Sequence, residues 1–131
     1  MSTPPVILTA QDAQALPARE RIGLAVARLD TLTMIQTFVA AEAAGVRQVW
    51  STQSPLQADT LTAFAAAAVQ TRELRLGAAV IPTYPRHPLT MASQALACND
   101  LAPGRLRLGI GSSHRPVIEG VYGIPMQQPL D

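Results

Sequence analysis

Leu74–His114 reads LRLGAAVIPTYPRHPLTMASQALACNDLAPGRLRLGIGSSH, and the rest of the chain is understood from it. Leu74–Ile81 is a short apolar run of strand type. Pro82, Pro85 and Pro88 interrupt regular structure after it, because each removes a backbone donor and fixes φ. Pro88 suits the first turn of a helix, where a missing N–H costs nothing. Leu89, Ala92 and Leu96 then supply the expected buried stripe of that helix. Ala102-Pro103-Gly104 is a turn and Arg105–Ile110 a further strand, closed by Gly109-Ile110-Gly111. In parallel α/β folds the C-terminal end of a strand is where ligands bind.

The same alternation extends towards the N-terminus. Arg21–Ala27 and Val46–Trp50 read as two earlier strands. Asp30 and Asp59 are helix N-cap residues, since a short carboxylate can accept from the free amides of a first turn. Leu32, Ile35, Phe38 and Val39 mark the buried face of one helix, and Leu61, Phe64, Ala65 and Ala68 that of the next. Gly45 sits where a helix-terminating glycine belongs. Pro116 begins a fourth, short helical turn, interrupted by Gly120 and Gly123. Strands start at 21, 46, 74 and 105, so the repeat is 25, 28 and 31 residues long. A βα repeat of that length makes a parallel sheet with right-handed crossovers. The fold class is therefore α/β, built of parallel (β/α) repeats. Two architectures use them. An eight-stranded (β/α) barrel of the TIM type needs roughly 250 residues, so this chain would supply about its first four strands. A small doubly wound sheet would be complete at this length, but only if strand order reverses within it.

Composition removes several classes of function. The chain has 131 residues, enough for one modest domain, with 48% hydrophobic, 15% charged and only 4% aromatic residues. Ala, Leu and Val dominate, which suits helices packed tightly on a parallel sheet. Ten Lys+Arg against nine Asp+Glu leave a net charge of +1 with no basic stripe, which argues against a nucleic-acid partner. The Arg72/Arg75 and Arg105/Arg107 pairs read as solvated strand ends. Cys98, the single cysteine, has no partner for a disulfide or a metal site and reads as a small core residue. Residues 1–19 read as a flexible, Pro-containing leader without the basic and apolar regions of a signal peptide. No apolar run is long enough to span a bilayer. A cytoplasmic location and no metal are expected.

The segments Pro-Thr-Tyr-Pro-Arg-His-Pro (82–88) and Gly-Arg-Leu-Arg-Leu-Gly-Ile-Gly (104–111) carry a family resemblance. With LGAAVI before them they resemble the bacterial-luciferase-like oxidoreductases, and more narrowly the branch that uses the deazaflavin coenzyme F-420 in place of FMN. The resemblance runs from about Arg21 to Leu130, so that residues 20–131 would form the N-terminal half of a luciferase-like barrel. It implies an oxidoreductase that transfers a hydride between a small organic substrate and coenzyme F-420, or FMN. An FMN-dependent monooxygenase is the variant within that class. A truncated or split half-barrel, active only as a homo-oligomer or with a complementary half, is the alternative of a different kind.

The resemblance also implies roles for single residues. Relatives bulge their third strand beneath the cofactor ring, often with a non-prolyl cis peptide, and the matching bond is Ala79–Val80. Gly109, Gly111, Ser112 and Ser113 match the cofactor-facing turn after strand four, where bare backbone would approach the ring. His114 stands where some sugar-phosphate-oxidising relatives hold an acidic catalytic residue, and imidazole can exchange a proton near neutral pH. Gln53 and Ser54 replace an acidic residue and a histidine after strand two, which leaves Gln53 as a hydrogen-bonding candidate. Trp50 is expected to pack. His87 is expected to cap the helix at Pro88, and Tyr84 either to stack near the ring or to pack in its loop. On this reading, replacing Gly111 by Val should abolish cofactor binding while far-UV circular dichroism stays unchanged.

Overall fold

Four strands lie side by side in the order β1-β2-β3-β4, every neighbouring pair parallel. The computed structural model describes residues 15–27 and 30–127. Its elements are α1 (Ala18–Arg21), β1 (Leu24–Val26), α2 (Thr31–Ala43), β2 (Gln48–Ser51), α3 (Thr60–Ala68), β3 (Arg75–Pro82), α4 (Pro88–Leu101), β4 (Leu106–Gly111) and α5 (Arg115–Gly120). Strand order follows chain order without reversal, which excludes the doubly wound alternative and leaves part of a TIM-type barrel. Each strand begins one to three residues later than its sequence pattern suggests, since pairing starts only where a neighbour supplies a partner. The expected leader lies outside the described residues as far as residue 14. Its expected end, at Arg19, falls within α1.

Asp30 caps α2 by accepting from the Thr33 amide at 3.0 Å, and Asp59 caps α3 by accepting from Thr62 at 2.8 Å. His87 caps α4, its Nδ1 accepting from the Leu89 amide at 3.2 Å. Gly45, with φ +86°, ends the turn after α2 in the left-handed region expected of such a glycine. Met34, Phe38 and Ala41 of α2 meet Leu61, Phe64, Ala67 and Ala68 of α3 and the buried strand residues Val49, Leu76 and Ala78. The rings of Phe38 and Phe64 sit 5.8 Å apart in a tilted pair. Cys98 is buried, as expected, and its thiol donates to the Leu61 carbonyl at 3.1 Å.

Strand alternation places Trp50 on the opposite face of the sheet, in register with Gly77. A Cβ at Gly77 would lie 2.4 Å from the indole, and one at Gly23 would lie 2.9 Å from it. Trp50 therefore packs across β1–β3 in a slot that only glycine leaves open.

Three expectations fail locally. Met91 and Cys98, not Leu89 and Leu96, form the buried stripe of α4. Leu89 is 72% exposed, because the stripe that faces α3 and β4 is displaced from the one its leucines suggest. Leu32 of α2 is exposed for the same reason, with Met34 in its place. Two of the four strand-end arginines are also engaged, while Arg72 and Arg107 stay exposed: Arg75 pairs with Glu20, and Arg105 donates to Thr71 Oγ1 and to the carbonyls of Ala68, Leu74 and Leu101.

Glu42, in the last turn of α2, accepts from the amides of Arg72, Glu73 and Leu74 at 2.7–3.1 Å, pinning the turn that leads into β3. Burial opposes its charge, but those three amides and nearby Arg105 outweigh it and hold its carboxyl below the ordinary glutamate range. A lowered folded-state pKa contributes stability that is present above the unfolded pKa and lost as pH falls through the folded one. Glu42→Ala should cost about 1–2 kcal/mol at neutral pH, a fall in Tm of roughly 3–12 °C for a domain of this size. Glu42→Gln keeps one acceptor oxygen and should lose less, while flattening the acid limb of Tm against pH.

Candidate functional site

The third strand breaks its own alternation at the end where ligands bind. Its register against β4 shifts between Ala78 and Ile81, and the Ala79–Val80 peptide is cis. Ala78 and Ile81 are buried, whereas Ala79 and Val80 between them are exposed, Val80 by 41%. The bulge is possible because β4 offers it no side chain. A Cβ at Gly109 would stand 2.2 Å from the Ala78 carbonyl oxygen, and one at Gly111 3.0 Å from Val80 Cγ2. The two glycines thus make room for the neighbouring strand.

The bulged end of β3, the loops after β2 and β4 and the start of α5 surround a cleft of about 250 Å³. Thr52, Gln53, Ser54 and Pro55 form one wall, Ala79, Val80 and Pro82 a second, and Ser113, His114 and Val117 a third. These residues include no carboxylate and no lysine or arginine. Gly109, Gly111 and Ser112 lie outside the lining, so the expected cofactor-facing turn reaches the cleft through Ser113.

Gln53 is heavily used. Its amide donates to the Val80 carbonyl at 3.3 Å, its Oε1 accepts from the Thr60 amide at 2.8 Å, and its Nε2 donates to the Ser54 carbonyl at 3.3 Å. Thr60 Oγ1 in turn donates to the Thr52 carbonyl at 3.2 Å. The side chain therefore ties its loop to the start of α3, with Gln53 still at the cleft wall. Ser113 adopts φ +64°, unusual for a residue with a side chain, and Ser112 Oγ donates weakly to its carbonyl at 3.5 Å. His114 occupies the N-cap position of α5 with no side-chain capping bond, so the imidazole stands exposed at the cleft. Among the lining residues His114 carries the one imidazole, whose two ring nitrogens can make hydrogen bonds.

His87 and Tyr84 are spent elsewhere, His87 on the cap of α4 and Tyr84 on a hydrogen bond to the Gln127 carbonyl. Sequence reasoning missed Arg86. It pairs with Asp59 and donates to Gln94 Oε1 at 2.9 Å, joining the loop after β3 to the start of α3 and to α4. Burial opposes the charge on Asp59, but the Thr62 amide and hydroxyl together with Arg86 hold its carboxyl below the ordinary aspartate range. No local pattern links two residues 27 positions apart. Among the described residues no group of three or more His, Cys, Asp or Glu side chains is placed to hold a metal, and no helix is long and apolar enough to cross a membrane.

The Luciferase-like monooxygenase family model matches residues 7–131, nearly the whole chain. The chain belongs to this family. A Mycobacterium tuberculosis protein described as a coenzyme F-420-dependent oxidoreductase is 37% identical over 91 residues, covering 70% of this chain and 26% of that protein. The 5,10-methylenetetrahydromethanopterin reductase of Methanolobus tindarius is 30% identical over 90 residues, covering 69% of this chain and 27% of the relative. Among solved structures, the coenzyme F-420-dependent tetrahydromethanopterin reductase of Methanopyrus kandleri superposes with a TM-score of 0.70 at 23% identity, over 79% of this chain and 30% of that one. The FMN-bound oxygenating constituent of 3,6-diketocamphane monooxygenase from Pseudomonas putida superposes at 0.64 with 21% identity, over 83% and 29%. These two establish the luciferase-like fold. The chain spans under a third of the length of the family members it matches.

The collision at Gly111 changes what a substitution there would report. Gly111→Val would press on Val80 whether or not a ligand binds, so loss of binding would no longer isolate a cofactor contact. Gly109→Ala meets backbone that cannot swing aside, and should destabilise the β3–β4 pairing by about 1–3 kcal/mol, seen as a lowered Tm. An unchanged Tm would show that the bulge does not need this glycine.

Proposed function

We propose that this chain is the N-terminal half of a luciferase-like oxidoreductase barrel, residues 20–131, that seats the ring of coenzyme F-420 against the β3 bulge. The bulge carries the reading: it turns Ala79 and Val80 out of the sheet into a cleft at the C-terminal ends of parallel strands, beside an imidazole with no capping bond. FMN is the alternative cofactor, with a monooxygenase as the corresponding activity. The names of the two curated relatives favour the deazaflavin. A cytoplasmic setting and a small organic substrate go with this reading.

The cleft residues fit one face of such a group. When bound, the deazaflavin ring supplies the hydride chemistry. Val80 and Ala79 present an apolar surface on which a flat ring can rest. Ser113 offers a hydroxyl for orientation, and the turn Gly109–Ser113 shapes the third wall. Gln53 fixes the loop opposite. His114 holds or takes a proton at its imidazole as a substrate oxygen changes protonation. The cleft volume of about 250 Å³ is below the roughly 300–1,000 Å³ usual for ligand pockets, as befits one side of a larger site.

A second reading rests on the sheet edges. Ile110 of β4 is 55% exposed, and Leu108 and Leu24 are exposed on the two edge strands. Apolar edges of this kind call for a covering strand. The chain would then act only as a homo-oligomer or with a complementary half-barrel.

Titrating the chain with F-420, and separately with FMN, while following cofactor fluorescence and solution mass should separate these readings. Saturable F-420 binding by a monomer supports the first. Binding only by a dimer, or after addition of a complementary half, supports the second. Absence of binding in every state would sink the cofactor role of the cleft.

A further inference from the structure

The Asp59 carboxylate divides its two oxygens between different tasks. Oδ1 caps α3 through the Thr62 amide and hydroxyl, both at 2.8 Å, while Oδ2 holds Arg86 Nη2. Arg86 Nη1 reaches Gln94 Oε1 at 2.9 Å, so the planar fork spans α3 and α4 from a loop that belongs to neither. The pair is partly shielded, with side chains 16% and 30% exposed, and a charge-assisted bond in such a place is stronger than one in open water. The linkage continues. The Arg86 amide donates to the Thr83 carbonyl at 3.2 Å, and the Thr83 amide donates to the Gly111 carbonyl at 2.9 Å. Gly111 leads directly into Ser113 and His114. On the other side, Asp59 adjoins Thr60, whose amide and hydroxyl hold Gln53 and Thr52. One unbroken series of bonds therefore joins the first wall of the cleft to the third, passing under Pro82 of the second.

We infer that the Asp59–Arg86 pair is a brace that sets the spacing of the three cleft walls, and that Arg86 is a positioning residue for the group seated there. The part that concerns a seated group rests on the proposed cofactor role; the brace itself does not. The side-chain hydrogen bonds of the pair go to Thr62 and Gln94, outside the lining, so it acts by holding Gln53 and His114 at a fixed separation.

Asp59→Asn is the informative variant. Asn caps a helix about as well as Asp, so α3 keeps its start while Arg86 loses its counter-charge. Arg86→Lys keeps the charge but not the fork. In the full chain, amide hydrogen exchange of Asp59→Asn should quicken by about tenfold at Arg86 and Thr83, the mark of a local opening, and stay within about twofold at Leu76, whose amide bonds the Arg105 carbonyl in the sheet. If the unaltered chain binds F-420 or FMN, Asp59→Asn should weaken that binding by about tenfold, with Arg86→Lys in between. Exchange unchanged at Arg86 and Thr83, or raised equally at Leu76, would overturn the brace, and undiminished cofactor affinity in Asp59→Asn would overturn the positioning role of Arg86. If the unaltered chain binds neither cofactor, the functional proposal falls, and the exchange measurement alone decides the brace.

Discussion

The β3 bulge exists because strand β4 has no side chain at the place where it arrives. Ala78 pushes its carbonyl oxygen into the space a Cβ of residue 109 would fill, and Val80 takes the space above Gly111. Bulges beside ligand sites re-aim side chains that regular pleating would bury. Here the effect is to lift Ala79 and Val80 out of the alternation while Ile81 and Pro82 resume pairing with Ile110 and Gly111. The Val80 carbonyl then meets the Gln53 amide, and the loops after β2 and β4 share one cleft with the bulged strand.

The two ends of the sheet do different work. At the N-terminal end, Glu20 bonds Arg75, Glu42 gathers three amides, and Arg105 serves several carbonyls. These contacts hold the strand starts. At the C-terminal end the bonds run between loops, through Gln53, Thr60, Asp59, Arg86 and Thr83. Such a separation of a fixed base from a loop-built site is what lets barrels of this kind carry varied chemistry. Trp50, lodged over Gly23 and Gly77, fills the floor between the two ends.

Much of this was legible without coordinates. Asp30, Asp59, His87 and Pro88 announce helix starts through local chemistry that needs no tertiary partner, and each behaves as its type suggests. The regular βα spacing carried the parallel sheet, and the Pro-rich loop with its Gly-x-Gly strand carried the family. Gln53 and His114 were named from the family resemblance, and both line the cleft. The sequence did not show that a Cβ at Gly109 would meet the Ala78 carbonyl or that one at Gly111 would meet Val80, because a one-dimensional pattern does not name neighbours across a sheet. Leu89 and Leu96 looked like core because leucine at helical spacing usually is, but burial is decided by what stands opposite.

Short-range physics, acting within about four residues, therefore determined where helices and strands begin, how they alternate and which family's pattern they follow. The sequence could state these alone because capping, proline geometry and periodicity are properties of a segment by itself. Only the folded arrangement decided that Arg86 would find Asp59, that Met91 would replace Leu89 in the core, and that the third strand would bulge against two glycines. Those outcomes depend on distances between groups far apart along the chain, which exist only once the strands lie side by side.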